Sequence, residues 1–259
     1  MSYEDVRYEC AGGVARILID RPERLNAFRG QTVEELTDAF YRAWDDASVG
    51  VVVLRGAGER AFCSGGDQKE RERTGDYGFR RGGILGLHEV IRAIPKPVLA
   101  AVNGYAIGGG NVLQVLCDLA LAADHAIFGQ VGPRVGSVDA GYGTTYLARL
   151  VGERKAREMW YLCRRYTAEA ALAMGLVNAV VPRGSLDAEV ARWCEEILAK
   201  SPTALRIAKA SFQAETDHIG GQSVLSHTAL ELYYAGDEAR EGVRAFAEKR
   251  EPDFRRFRR

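Results

Sequence analysis

Two glycine-rich segments hold the residues best suited to chemistry. The first is Ala61-Phe62-Cys63-Ser64-Gly65-Gly66-Asp67-Gln68. The second is Asn103-Gly104-Tyr105-Ala106-Ile107-Gly108-Gly109-Gly110. Glycine lets the backbone approach a ligand closely. A helix following the second run would aim its free N–H groups and positive dipole end at that ligand. Two such loops on neighbouring strands supply two N–H donors to one developing oxyanion, and losing one donor costs about 3–4 kcal/mol of transition-state stabilisation. Each cluster taken singly also reads as a tight turn. Neither is a phosphate loop, because no GxxxxGK[ST] pattern is present.

These segments need a frame, and the sequence predicts one. Residues 14–19 read as a strand closed by Asp20-Arg21-Pro22. Thr32 and Glu35 have the spacing of a capping box, opening a helix with Val33, Leu36, Phe40 and Trp44 on one face. Residues 50–54 form a short apolar strand of the kind covered on both faces, and residues 56–67 are then a loop. A helix over 86–94 leads through Pro95-Lys96-Pro97 to a strand over 98–102. Alternating strand and helix implies right-handed crossovers and an α/β fold. Helices dominate later: a capped one over 167–174 stopped by Gly175, one marked by Leu186, Val190, Trp193 and Ile197, one over 201–212, and a stretch over 224–249. A strand over 177–181 interrupts them. So helical an end must pack on something, and a neighbouring subunit is a natural candidate.

The chain has 259 residues, enough for one large domain. Lys plus Arg equals 35 and Asp plus Glu equals 35, so no electrostatic footprint for nucleic acid or an anionic membrane is expected. The four arginines after Phe254 read as a solvated tail. No apolar run spans a membrane and the N-terminus is polar. The five scattered cysteines read as reduced thiols of a cytoplasmic protein. The four histidines lack metal-site spacing.

The two glycine motifs together resemble the enoyl-CoA hydratase/isomerase (crotonase) superfamily, over residues 21–257. The resemblance implies a crotonase-like spiral of βαβ units over residues 1–200 and a C-terminal helical trimerisation region over 201–259. It implies a homotrimer or homohexamer, an acyl-CoA substrate, no nucleic-acid or membrane partner, no tightly bound cofactor and no metal. By motif position, Gly66 and Gly109 would hold the thioester oxygen. Arg24, Leu25 and Ala27, with Phe246 and Lys249, lie where the family holds CoA. Ser64, Gly65, Asp67, Gln68 and Lys69 would contribute to binding the substrate or its CoA. Hydratases of this family carry catalytic glutamates where this chain has Val112 and Gly132, so simple hydration is not expected.

What replaces them is a run from Phe128 through Gln130, Gly132, Ser137 and Asp139 to Gly143. With Ser64-Gly65-Gly66-Asp67-Gln68, Lys155-Ala156-Arg157-Glu158-Met159-Trp160 and Tyr233-Tyr234, it resembles the branch containing 2-ketocyclohexanecarboxyl-CoA hydrolase and 1,4-dihydroxy-2-naphthoyl-CoA synthase. There Ser137 and Asp139 would be the polar pair and Tyr234 would exchange a proton with the enolate. Bicarbonate would sit near Gln130 and Gly132 if the synthase's glycine-type arrangement holds. Asp139 also reads as a turn or cap residue, and Tyr234 as half of an aromatic core pair. Asn111, Val131 and Val138 lean toward hydrolytic ring opening over ring closure. Other enoyl-CoA hydratase/isomerase activities are a second alternative, and a non-catalytic RNA-binding or scaffold protein a third, which neutral charge disfavours.

Overall fold

A computed structural model describes residues 3–74, 77 and 83–258. The chain opens with an antiparallel pair, β1 (Val6–Ala11) and β2 (Val14–Ile19), followed by α1 (Gly30–Asp45). Strands then come in twos, a longer one joining a large sheet and a short one joining a second sheet. β3 (Val51–Gly56) precedes β4 (Ala61–Cys63). After α2 (Gln68–Thr74) and α3 (Gly83–Ala93), β5 (Val98–Val102) precedes β6 (Tyr105–Ile107). After α4 (Gly109–Leu116), β7 (Leu119–Ala123) precedes β8 (Ile127–Gly129). The large sheet runs β1-β2-β3-β5-β7-β10 and the small one β4-β6-β8-β9, with β9 at Arg165–Thr167 and β10 at Ala179–Val181. Pairing is parallel except at β1–β2 and β8–β9. The α/β spiral expected from the sequence is therefore present. Residues 56–67 are not all loop, because β4 interrupts them and belongs to the small sheet.

The apolar runs of the long strands follow from burial on both faces. Val52, Leu54, Val98, Ala100, Val102, Ala120 and Ala122 face the main core. Their neighbours Val51, Val53, Leu99, Ala101, Leu121 and Ala123 face a second core. α8 (Leu186–Leu198) covers that face with Leu186, Val190 and Cys194. On α1, Val33, Leu36 and Phe40 are buried and Trp44 packs at the edge. Each large side chain so removed from water contributes roughly 1.5–3 kcal/mol.

The expected capping box is corrected in its parts. The helix begins at Gly30, which puts Thr32 inside the first turn, where its Oγ1 accepts the Arg29 N–H at 3.1 Å. Glu35 instead accepts the N–H groups of Glu4 and Asp5, at 2.8 and 2.7 Å, tying the N-terminal strand to α1.

Beyond β8 come α5 (Leu147–Val151), α6 (Glu153–Leu162) and α7 (Ala168–Ala173), the last capped by Thr167 Oγ1. α9 (Pro202–Ala214) starts at Ser201, whose Oγ accepts the Ala204 N–H. The long stretch expected over 224–249 is two helices, α10 (Asp217–Tyr234) and α11 (Asp237–Ala247). An extended Gly236 breaks them apart. α11 packs on α2. Among the described residues no helix is long and apolar enough to cross a membrane, and no cluster of metal-ligating side chains occurs. All five cysteines are free.

Two buried asparagines hold the start of the small sheet. Asn26, at φ 55°, donates to the carbonyls of Ala57 and Ala61 at 3.0 and 2.7 Å and accepts the Arg21 N–H at 3.0 Å. Asn103 donates to Gly56 and Gly58. Replacing Asn26 by Ala leaves buried carbonyls unpaired and keeps a strained backbone, so Asn26→Ala is expected to cost about 3 kcal/mol in urea unfolding. A loss below about 1 kcal/mol would show the anchor to be dispensable.

Candidate active site

β4, β6 and β8 are consecutive parallel neighbours in the small sheet, and adjacent strands lie about 4.8 Å apart. Their C-terminal ends therefore set residues 64–66, 108–109 and 130–132 side by side. A cavity of about 200 Å³ opens along this row. Its first wall is these three loops with Phe28, its apolar flank includes Ile84, Val138 and Trp160, and α10 closes it with His227, Leu230, Glu231 and Tyr234.

The two glycine loops touch. At Gly65, φ +93°, a Cβ would come within 2.9 Å of the Ile107 carbonyl oxygen and 3.2 Å of the Gly109 nitrogen. At Gly110 a Cβ would overlap the Cys63 carbonyl. Phe28 bridges to this segment by donating to the Gly65 carbonyl at 2.9 Å and accepting the Asp67 N–H at 2.8 Å. The Gly66 N–H lies between and is not used. Gly109 is the first residue of α4, where an N–H has no partner within the helix. Among the described residues neither amide donates to a protein acceptor. Both glycines line the cavity.

A buried ion pair holds the first loop from behind. Arg21 Nη2 lies 3.0 Å from Asp67 Oδ2, and Arg21 also donates to the Ala27 carbonyl. Asp67 Oδ1 accepts the Lys69 N–H at 3.1 Å, at the start of α2. Asp67 was expected to touch substrate. It is directed into this pair instead and does not line the cavity.

The opposite wall carries the titratable groups. Ser137 Oγ and the Tyr234 hydroxyl are 2.7 Å apart. Asp139 Oδ1 accepts the Gly143 N–H at 3.2 Å. Burial pushes the Asp139 carboxyl up to about 7, against the opposing pull of that N–H. Burial also raises the Tyr234 hydroxyl well above its ordinary value. Arg71 braces this wall. Its Nη1 and Nη2 donate to the carbonyls of Val135 and Gly136 at 3.1 and 2.7 Å, and its guanidinium lies 4.1 Å from the centre of the Tyr234 ring. Gln130 is fully buried, and neither atom of its carboxamide has a protein partner among the described residues. A polar group so placed favours a polar ligand, since an unpaired one costs about 1–3 kcal/mol. Gly132 is confined: a Cβ would sit 2.5 Å from the Ser137 carbonyl oxygen and 2.9 Å from Trp160.

Of the residues singled out in the sequence, Ser64, Gly65, Gly66, Gln68, Gly109, Gln130, Gly132, Ser137, Asp139 and Tyr234 meet at this cavity. Tyr234 reaches it within the same chain. Arg24, Lys69, Phe246 and Lys249 are exposed and do not line it. The turn bearing Arg24 and Leu25 lies against its rim, where the Leu25 carbonyl accepts the Ser64 N–H at 3.1 Å. Sequence reasoning missed Arg71, Tyr77, His227 and Glu231. His227 had a legible signal, since it stands two helical turns before Tyr234 on one face.

Residues 9–257 match the family model described as enoyl-CoA hydratase/isomerase. The chain belongs to the enoyl-CoA hydratase/isomerase family. Solved structures agree with this membership. An enoyl-CoA hydratase from Mycobacterium avium subsp. paratuberculosis K-10 is 30% identical with a TM-score of 0.87, over 98% of this chain and 99% of that one. A carnitinyl-CoA hydratase from Mycobacterium avium is 32% identical with a TM-score of 0.87, over 97% and 98%. An enoyl-CoA hydratase from Bacillus anthracis is 33% identical with a TM-score of 0.75, over 96% and 98%. The protein is thus an acyl-CoA-processing enzyme of the crotonase superfamily.

Two outcomes test this family member's site. Gly110→Ala, forced against Cys63, is expected to displace the Gly109 amide and lower turnover at least about 100-fold. Circular dichroism should meanwhile still report a folded chain. The raised Asp139 means the folded state holds its proton more tightly than the unfolded state. That stabilisation is complete below about pH 4 and lost as pH rises through about 7. Relative to Asp139→Asn, the wild type should therefore lose stability between those limits in urea titrations. Parallel curves would place the carboxyl in water.

Proposed function

We propose that this enzyme opens the ring of a cyclic β-ketoacyl-CoA, such as 2-ketocyclohexanecarboxyl-CoA, by hydrolytic carbon–carbon cleavage. One observation carries the reading: a half-buried Asp139 and a bonded Ser137–Tyr234 pair face, across one cavity, two main-chain amides that among the described residues have no protein acceptor. The hydratase alternative lacks its acids. Val112 is apolar and fully buried, and Gly132 has no room even for a methyl group.

In this reading the thioester oxygen accepts from the Gly66 and Gly109 N–H groups. Asp139, with a carboxyl poised near neutrality, takes a proton from water as it adds to the ring ketone. The bond between that carbon and the thioester α-carbon breaks, and its electron pair moves into the thioester as an enolate. The two amides stabilise this charge. Tyr234, kept protonated by burial, then delivers a proton to the α-carbon, and the proton that Asp139 took from water restores it by way of Ser137. Water has been consumed, and the product is a dicarboxylic acyl-CoA. Ring closure by a 1,4-dihydroxy-2-naphthoyl-CoA synthase would use the same groups in reverse logic. The unpartnered Gln130 carboxamide beside Gly132 is the feature that favours it, as a seat for bicarbonate.

The CoA nucleotide is assigned to Arg24, Leu25 and Ala27 at the rim, with Phe246 and Lys249 as C-terminal contacts. Ser64, Gly65, Gln68 and Lys69 belong to the acyl entrance, and no tightly bound cofactor is required. Residues 201–259 are proposed to trimerise the chain into a homotrimer or homohexamer. Exposed Ile207, Phe212, Leu225 and Leu232 on α9 and α10 support that. A cytoplasmic location fits the free thiols.

Mass-spectrometric product analysis with the two candidate thioesters side by side tests the reading. Ring opening should rise with pH through an inflection near 7, set by Asp139 ionising. Asp139→Asn should lower the rate by about 10²–10⁴-fold and remove that inflection. Tyr234→Phe should lower it at least about 100-fold. Full activity in both variants would overturn these roles.

A further inference from the structure

The cavity's α10 wall holds a group with no part in the steps above. His227, Leu230, Glu231 and Tyr234 share one helix face, spaced three, four and seven residues from His227. Among the described residues lining the cavity, the ionisable side chains are Asp139, Tyr77, His227, Glu231 and Tyr234, and only the imidazole can carry positive charge. Arg71 lies behind Tyr234 with two guanidinium nitrogens engaged by backbone carbonyls. The His227 side chain is 25% exposed. Glu231 Oε1 stands 4.0 Å from its Nε2, at the outer edge of an ion pair, and is 70% exposed, so water screens it. Behind His227, His88 of α3 is fully buried. Burial, and secondarily His227, pushes it down to about 3, so it remains neutral and adds no competing cation.

The spacing fits a particular ligand. Seven residues of helix separate His227 from Tyr234 by about 10 Å along the axis. In an extended seven-carbon diacid thioester the free carboxyl carbon stands about 6 Å from the α-carbon that Tyr234 faces, and the reach of the two side chains covers the remainder. The cyclic form folds that same carbon back beside the α-carbon, out of His227's reach. Leu230 and Ile84 supply apolar surface for the methylenes between.

We infer that His227 is a specificity-determining residue that receives the free carboxylate of the open-chain acyl-CoA, holding it away from the thioester enolate. The inference rests on the acyl-CoA ring-opening or ring-closing reading, because only there does the open form carry a second carboxylate.

Competitive inhibition by two thioesters differing only at that end tests it: pimeloyl-CoA, with the carboxylate, and heptanoyl-CoA, with a methyl. The wild type should bind pimeloyl-CoA about tenfold more tightly. His227→Gln should bring the two within about twofold, with heptanoyl-CoA binding retained as the sign of an intact site. His227→Lys, which places a cation at that position, should recover the preference. Should His227→Gln lose both ligands, the lysine variant decides by its preference alone. Equal binding by the wild type, or a preference surviving in His227→Gln, overturns the inference and leaves the acyl-CoA reading intact. Binding of neither thioester by the wild type overturns both.

Discussion

Two amide N–H groups from separate loops can share one oxygen only if the loops are held about one strand spacing apart. Here that spacing comes from the hydrogen-bond ladder joining β4 to β6. Gly65 then meets the peptide of Gly109, and no side chain fits between. The rest of the local structure preserves this contact. Asn26 and Asn103 fix where β4 begins, and Arg21 with Asp67 fixes where its loop ends. A shift of an ångström would weaken both hydrogen bonds to a ligand, and each is worth several kcal/mol in a site closed to water.

The charge distribution follows from the same design. The side of the cavity lined by the Gly66 and Gly109 amides offers dipoles and, among the described residues, no cation. Dipoles fixed in a low-dielectric wall need no reorganisation when charge develops. The side carrying Asp139 and Tyr234 is kept close to neutral. Asp139 is partly protonated near pH 7, and Tyr234 keeps its proton under burial. Arg71, the guanidinium behind this side, is bonded to the Val135 and Gly136 carbonyls and stacked on the Tyr234 ring.

Much of this was legible in the sequence, for local reasons. Strand periodicity located β2, β5 and β10, and both glycine runs announced close backbone approach. Asp139 and Tyr234 were legible through motif resemblance, which carries spatial information that spacing alone lacks. What escaped was set by tertiary contact. Arg71 is one turn beyond Asp67 on a polar helix, and nothing local shows its guanidinium entering the core. β4 has three residues and gains its identity only from β6. The break at Gly236 separates two helices whose compositions blend. Asp67 reads as a ligand residue until Arg21, 46 positions earlier, is seen opposite it.

The confinement of Gly132 has a wider consequence. The amides of Gly66 and Gly109 come from main chain, which substitution elsewhere scarcely alters, whereas the excursion from Gln130 to Asp139 is all side-chain identity. A lineage could rewrite that excursion while leaving the strand stack untouched, and so exchange one thioester transformation for another. Gly132 limits the traffic: with the Ser137 carbonyl and Trp160 pressed against it, placing a glutamate there would require the whole segment to be rebuilt in concert.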